Sequence, residues 1–135
     1  MAGFVTGVGE RVLLSAALDA VGPLSLRLAK TAFAPTASLT LAGITEADYV
    51  GYEPLPLTLG TVQPGTPGGR AEADFANVTF TCGGSATPNS IYGYFVTDGS
   101  GNLLWCELFG GAPRPMDGAG RTVSLDISLR LWAPN

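Results

Sequence analysis

Charge is scarce in this chain of 135 residues: seven Lys and Arg stand against eleven Asp and Glu, histidine is absent, and charged residues make up 13%. That is about half the usual charged share. The basic residues, Arg11, Arg27, Lys30, Arg70, Arg114, Arg121 and Arg130, form no run, so the clustered positive charge that nucleic acid phosphates demand is missing.

The length suits one domain with a real core. Its neutral surface is either an ordinary polar face or ground covered by other subunits. Cys82 and Cys106, without histidine, cannot complete a four-ligand zinc site, so no metal or cofactor is expected. The two thiols either pack as small reduced hydrophobes or bridge neighbouring strands. Met1-Ala2-Gly3-Phe4 lacks the basic start of a secretion signal, and no apolar run is long enough for a membrane span. A soluble product made in the cytoplasm, with no membrane partner, is expected.

Residues 1–9 hold three glycines and the apolar anchors Phe4, Val5 and Val8. They read as an N-terminal arm, frayed or laid down on a neighbouring subunit. Residues 10–135 read as a single β-sandwich domain. Glu10 to Leu18 is the best helix candidate, with Leu14 and Leu18 on one face and Gly22-Pro23 as its stop, although Arg11 to Leu14 also suits a strand. Leu24, Leu26 and Leu28 alternate with Ser25, Arg27 and Ala29, the pattern of a half-buried strand. The stretch 31–40 reads as a loop. Ile44 to Asp48 predicts a single helical turn, capped by the Thr45 hydroxyl and closed by Asp48.

Tyr49 to Tyr52 and Leu55 to Leu59 read as extended, and Pro54 and Pro56 place the second run at a sheet edge or break. Gly60 to Arg70, rich in Gly and Pro, predicts a mobile loop. Ala71 to Cys82 predicts one strand, with Ala76, Val78, Phe80 and Cys82 on the core face. Ile91 to Phe109 carries two aromatic and aliphatic runs around Asp98-Gly-Ser-Gly-Asn102, a β-hairpin signature in which glycine supplies positive φ. Residues 110–120 predict a long turn. Val123 to Leu131 is the cleanest alternation in the chain, a core strand with one wet face. Roughly six or seven strands, at most one short helix and no βα rhythm favour an all-β fold, an antiparallel sandwich or barrel.

Catalytic chemistry finds little footing. Without an imidazole base there is no Ser-His-Asp or Cys-His arrangement, and the single lysine, Lys30, lies on the alternating strand facing solvent. Glu107, beside Trp105, is the best carboxylate candidate for an acid-base role, against the simpler reading of an ordinary surface or ion-paired group. The Gly-rich segments lack Gly-Lys-Ser/Thr, and Asp117-Gly118 lacks further calcium ligands. A non-enzyme is expected. Tyr49, Tyr52, Tyr92, Tyr94 and Trp105 serve either a subunit interface or core, where tyrosine is at home, or a platform stacking on sugar rings.

The run Ile91-Tyr-Gly-Tyr-Phe-Val-Thr-Asp98, followed by Leu103-Leu-Trp105 and Glu107-Leu-Phe109, resembles a group of short bacteriophage proteins of about this length. Ile44-Thr-Glu-Ala-Asp-Tyr-Val-Gly-Tyr52 and the last alternating strand after Met116-Asp-Gly118 match the same group, so the resemblance covers 40–60 and 78–131. The chain departs from it at Cys106 and in the Gly-rich turn at 110–120. The resemblance implies a virion protein, a capsid decoration (cement) protein of jelly-roll type. It would assemble as a homotrimer on the capsid surface, with the major capsid protein as partner. Phe4, Val5, Val8, Tyr49, Tyr52, Tyr92 and Tyr94 are then the candidate interface residues. A carbohydrate-binding adhesin module of a tail fibre is the alternative.

Overall fold

Alternation decides where this chain becomes sheet. The computed structural model describes residues 6–64 and 71–130, and among them are eleven strands, one α-helix and one 3-10 turn. Every strand pairing is antiparallel, so the fold is mostly β. The chain gathers into two compact units. One comprises Pro23–Leu57 and Val78–Leu125; the other comprises Met1–Gly22, Thr58–Asn77 and Asp126–Asn135.

The larger unit is built on a four-stranded sheet of β1 (Leu24–Ala29), β2 (Leu55–Leu57), β7 (Gly93–Thr97) and β8 (Leu103–Leu108), in the order β2-β1-β7-β8. Leu24, Leu26 and Leu28 are buried as their alternation requires. Burying a leucine fully stabilises by about 1.5–3 kcal/mol relative to leaving it exposed. β7 is buried at all five positions, on both faces of the sheet. One of its faces contributes Phe95 to a cluster with Ala29, Phe33 and Ile44, against which Leu39, Leu103, Cys106 and Leu108 pack.

β7 and β8 form the expected hairpin. Its loop is tied by Asp98, whose Oδ1 accepts from the Ser100 and Asn102 N–H groups at 2.9 Å each, while Gly101 supplies the positive φ of 83°. Gly93 is required for a different reason. A Cβ there would run into the Glu107 carbonyl oxygen and the Phe33 ring, so only glycine lets β8 lie this close. Two short ladders complete the unit: β5 (Val78–Thr81) with β10 (Thr122–Leu125), and β6 (Asn89–Ile91) with β9 (Arg114–Met116).

The smaller unit sets α1 (Gly7–Ala20) against a three-stranded sheet of β3 (Leu59–Pro64), β4 (Ala71–Phe75) and β11 (Ser128–Arg130), in the order β11-β4-β3. The Thr6 hydroxyl caps the helix by accepting from the Gly9 N–H at 3.0 Å. Leu14 and Leu18 are its buried residues, as their shared face predicts.

Several sequence expectations are corrected. The helix is longer than 10–18, beginning at Gly7 and taking in residues read as arm, and the competing strand over Arg11–Leu14 is excluded. The single turn expected over 44–48 lies instead at Leu41–Gly43, because Glu46 is held extended in a bridge opposite Ala29. Tyr49 to Tyr52 is not extended but a tight turn, closed by the Tyr52 N–H donating to the Tyr49 carbonyl at 3.0 Å. The loop expected from Gly60 begins in strand β3, paired with β4 as far as Pro64; residues 65–70 lie outside the described residues. Within the turn expected at 110–120, Arg114–Met116 is a strand.

Two long strands are each cut in two. The stretch 71–82 breaks at Ala76-Asn77, with Ala76 exposed, and 123–131 breaks at Asp126-Ile127. The two interruptions meet, since Asn77 Nδ2 donates to Asp126 Oδ1 at 2.9 Å. Side-chain alternation survives the second break, with Val123, Leu125 and Ile127 all buried, which is why the sequence reads as one strand.

Candidate functional site

The segment after the 3-10 turn is fastened to β1 by polar side chains. Arg27, on the wetter face of β1, donates through Nη1 to both Glu46 carboxylate oxygens at 3.0 and 3.1 Å and through Nε to Thr97 Oγ1 at 3.1 Å. The Tyr52 hydroxyl donates to Glu46 Oε1 at 2.8 Å and accepts from the Leu28 N–H at 3.1 Å. Arg27 and Glu46 side chains keep only 30% and 33% of their exposure, so the pair is partly desolvated and its charges cancel in place.

A second knot lies beside it. Asn89, buried in β6, accepts at Oδ1 from the backbone N–H groups of Asp48 (2.8 Å) and Tyr49 (3.1 Å), and donates from Nδ2 to Asp48 Oδ1 at 2.9 Å. Lys30 Nζ donates to Asp48 Oδ2 at 2.8 Å. The Lys30 ammonium, and after it the Asn89 amide, hold the Asp48 carboxyl below its usual range. Lys30 is therefore an ion-paired residue rather than the lone solvent-facing amine expected of it.

The tyrosines divide by surroundings. Tyr49 is 3% exposed and meets the Tyr52 ring edge-on at 5.3 Å, and Tyr52 stacks on Phe80 at 6.1 Å. Tyr94 is 5% exposed and donates to Glu107 Oε2 at 3.0 Å. Burial pushes the Tyr49 phenol up to about 12. Burial likewise raises Tyr52 and Tyr94, helped in each case by the carboxylate that accepts its hydrogen bond. The Tyr52 and Tyr94 phenols are held as neutral donors. Tyr92 is half-buried between strands; its N–H donates to Ala29 O and its carbonyl accepts from the Phe109 N–H, both at 2.9 Å.

Of the other candidates, Val8 lies in the first turn of α1 and is 58% exposed, whereas Phe4 and Val5 fall outside the described residues. Glu107 is exposed on β8, which fits the simpler of its two sequence readings, an ordinary surface group, rather than a desolvated one beside Trp105. Cys82 is a buried free thiol whose Sγ donates to the Gly84 carbonyl at 3.1 Å, and Cys106 is a half-buried free thiol. The structure thus joins Tyr49 and Tyr52 in one ring pair and gives Tyr92 and Tyr94 separate places.

Two cavities of about 190 Å3 each open in the larger unit. One lies between the Arg27–Glu46 pair and Leu41, Ile44 and Phe95; the other lies by Tyr49, Glu53 and Phe80. Both are smaller than the roughly 300 Å3 at which ligand pockets begin. The Arg27 charge is already matched by the Glu46 carboxylate, so the pair gives the first cavity no net charge. Among the described residues, no group of three or more Cys, Asp and Glu could hold a metal ion, and no helix is long and apolar enough to cross a membrane.

What sequence reasoning missed is Asn89, Glu46 and the partners of Arg27. Pro88-Asn89-Ser90 looks like turn chemistry, and no local signal announces an amide that grips a backbone 41 residues away. It also missed that the aromatic hairpin ends the sheet. Among the described residues β8 has β7 on one side and no strand on the other, and Leu103, Leu104, Trp105, Cys106 and Leu108 are all half-buried there. A comparison with protein-family models, curated proteins and solved structures found nothing that matches this chain.

Proposed function

We propose that this chain is a structural protein of a bacteriophage virion. In this reading it decorates the capsid, binding and stabilising the outer surface as a homo-oligomer, and performs no catalysis. The reading rests on the resemblance carried by 44–52, 91–109 and the final strand, and one structural observation carries it further. The polar side chains at the best-developed cluster, Arg27, Glu46, Tyr52, Lys30, Asp48 and Asn89, are matched with one another, while the half-buried apolar surface gathers along β8. Matched polar groups fix a scaffold; unmatched apolar surface is what assembly buries.

In the same reading the strands form a jelly-roll-like β-sandwich, the oligomer is a homotrimer and the partner is the major capsid protein. The test is co-sedimentation of the purified chain with capsids stripped of it, alongside light scattering. Binding in a fixed ratio to shell subunits is expected; a strict monomer that stays in the supernatant ends the proposal. The adhesin alternative needs its five aromatic side chains exposed together, and it loses Tyr49 and Tyr94 to burial.

A further inference from the structure

The chain carries one dipeptide in two turns, Asp98-Gly99 and Asp117-Gly118, and has no asparagine followed by glycine. Aspartate before glycine is open to a spontaneous rearrangement, because a glycine has no Cβ to shield its amide nitrogen or restrict its backbone. That nitrogen attacks the aspartate side-chain carbon. The hydroxyl of the protonated carboxyl leaves with the amide hydrogen as water, and a five-membered succinimide closes. Water then reopens the ring. Opening at the side-chain carbonyl restores aspartate; opening at the main-chain carbonyl leaves isoaspartate, whose backbone runs through the former side chain and is one methylene longer. No oxidant or co-reactant is needed.

The two copies sit in unlike surroundings. Asp98 is clamped: Oδ1 accepts from the Ser100 and Asn102 N–H groups and Oδ2 from Asn102 Nδ2, all at 2.9 Å. Its own N–H donates to the Asn102 carbonyl and its carbonyl accepts from the Gly101 N–H, both at 3.1 Å. Turning the Asp98 carboxyl onto the Gly99 nitrogen breaks the three side-chain bonds. The Asn102 amide first, and then the backbone donors, also favour the ionised carboxylate, which has no hydroxyl to lose. Pro23 backs the same loop, where a Cβ added at Gly99 would touch its ring at 3.6 Å.

Asp117 has none of this. Among the described residues its carboxylate meets one polar partner, Arg121 Nε at 3.2 Å, and the two side chains are 48% and 59% exposed. A pair this exposed is screened by salt and holds its members weakly. Gly118 stands in open space, since an added Cβ would find nothing within 4 Å. We propose that Asp117-Gly118 is a site of spontaneous isoaspartate formation in the folded protein, while the identical Asp98-Gly99 is protected by its clamp.

The turn at 117 also sets the start of a ladder. The Gly120 N–H donates to the Cys82 carbonyl at 2.9 Å and the Cys82 N–H to the Arg121 carbonyl at 2.8 Å, just where β10 begins to pair with β5. An extra methylene at 117 displaces these groups, so conversion loosens that end of the ladder.

The test incubates the purified full chain for weeks in warm neutral buffer, folded and, in parallel, unfolded in urea. Isoaspartate is read by methyl transfer from labelled S-adenosylmethionine through an isoaspartyl methyltransferase, and is assigned to a peptide by electron-transfer fragmentation. In the folded chain, conversion at Asp117 should exceed that at Asp98 by about tenfold or more, because each hydrogen bond to a charged acceptor that must break is worth about one factor of ten. In urea the two rates should come together. Gly118→Ala, which has room and needs no positive φ, should suppress conversion at Asp117 with the far-UV spectrum intact. Asn102→Ala, which opens the clamp, should raise conversion at Asp98. Converted chains should lose amide protection at Cys82 and Gly120.

No isoaspartate at Asp117 in the folded chain, equal conversion at the two sites, or a preference for Asp117 that persists undiminished in urea overturns the proposal. So does conversion at Asp117 that Gly118→Ala leaves unchanged. An Asp98 rate indifferent to Asn102→Ala overturns the clamp, and unaltered exchange at Cys82 and Gly120 in converted chains overturns the loosening. If either variant fails to fold, the comparison of the two sites in the unaltered chain decides alone.

Discussion

The β2 side and the β8 side of the same sheet solve opposite problems. On the β2 side the chain is closed: Pro56 strips a donor from the edge strand, and the Arg27–Glu46–Tyr52 knot ties the neighbouring segment down. On the β8 side no further strand follows among the described residues, and the edge is bulged at Leu104, with half-buried apolar residues and one exposed carboxylate. Tyrosine shows the contrast in miniature. Tyr52 and Tyr94 each donate to a glutamate, but Glu46 is also held by Arg27 whereas Glu107 is exposed. One edge is finished in proline and matched charge, the other in a bulge and half-buried apolar side chains.

That contrast can be broken at its shared centre first. Leu26, fully buried on β1, supports both sides. Leu26→Ala should cost about 2–5 kcal/mol, read as a fall in the urea midpoint at unchanged slope. The β8 side alone is addressed by Gly93→Ala. The added methyl presses β8 away from β7, and overpacking of this kind costs about 1–3 kcal/mol. The hairpin amides should then exchange faster with solvent while those of Ala47 and Tyr49 keep their protection.

The closed side is addressed by Tyr52→Phe, which strands the Leu28 N–H and costs about 1–3 kcal/mol. Its alkaline counterpart has a fixed sign. Burial raises the Tyr49 phenol from 10.0 to about 12, so its stabilisation is whole below pH 10 and drains away as the pH climbs to 12. Absorbance titration should find Tyr49, Tyr52 and Tyr94 still protonated where a free phenol has ionised. Ordinary titration of all four tyrosines would sink the buried-phenol picture.

The smallest effect belongs to Lys30 and Asp48. The pair is exposed enough that Lys30→Met should leave stability at neutral pH almost unchanged. With its carboxyl held low, Asp48 contributes above its ordinary value of 3.8 and loses that contribution as the pH falls through the lower folded value. Lys30→Met should therefore flatten part of the acid limb of the stability curve.

Local pattern carried the all-β class, the helix around Leu14 and Leu18, the alternation of β1 and the hairpin with its loop, because each depends on neighbours in sequence. The breaks at Ala76-Asn77 and Asp126-Ile127 were illegible, since alternation runs through the second of them and only an asparagine and an aspartate meeting across strands marks the place. The turn forms at Leu41–Gly43 because Glu46, drawn extended toward Arg27, is unavailable to a helix at 44–48. Asn89 and Glu46 act through partners far away along the chain, which periodicity cannot register. Burial took Tyr94 out of reach of a surface role because β7 has cover on both faces, and Tyr49 because it packs inward against the Tyr52 ring, facts of topology rather than of composition.

The threading of the chain makes both units depend on distant partners. The smaller unit draws its strands from two distant stretches: β4 pairs with β11, and Arg130 bonds Glu72 across 58 residues. Its three-stranded sheet cannot close until everything through Arg130 has been synthesised, whereas the larger unit has all its strands by Leu125. Such distant pairings are slow to find because a long loop must close before any contact rewards it. The larger unit waits on a longer loop still, since Arg27 on β1 bonds Thr97 on β7 across 70 residues.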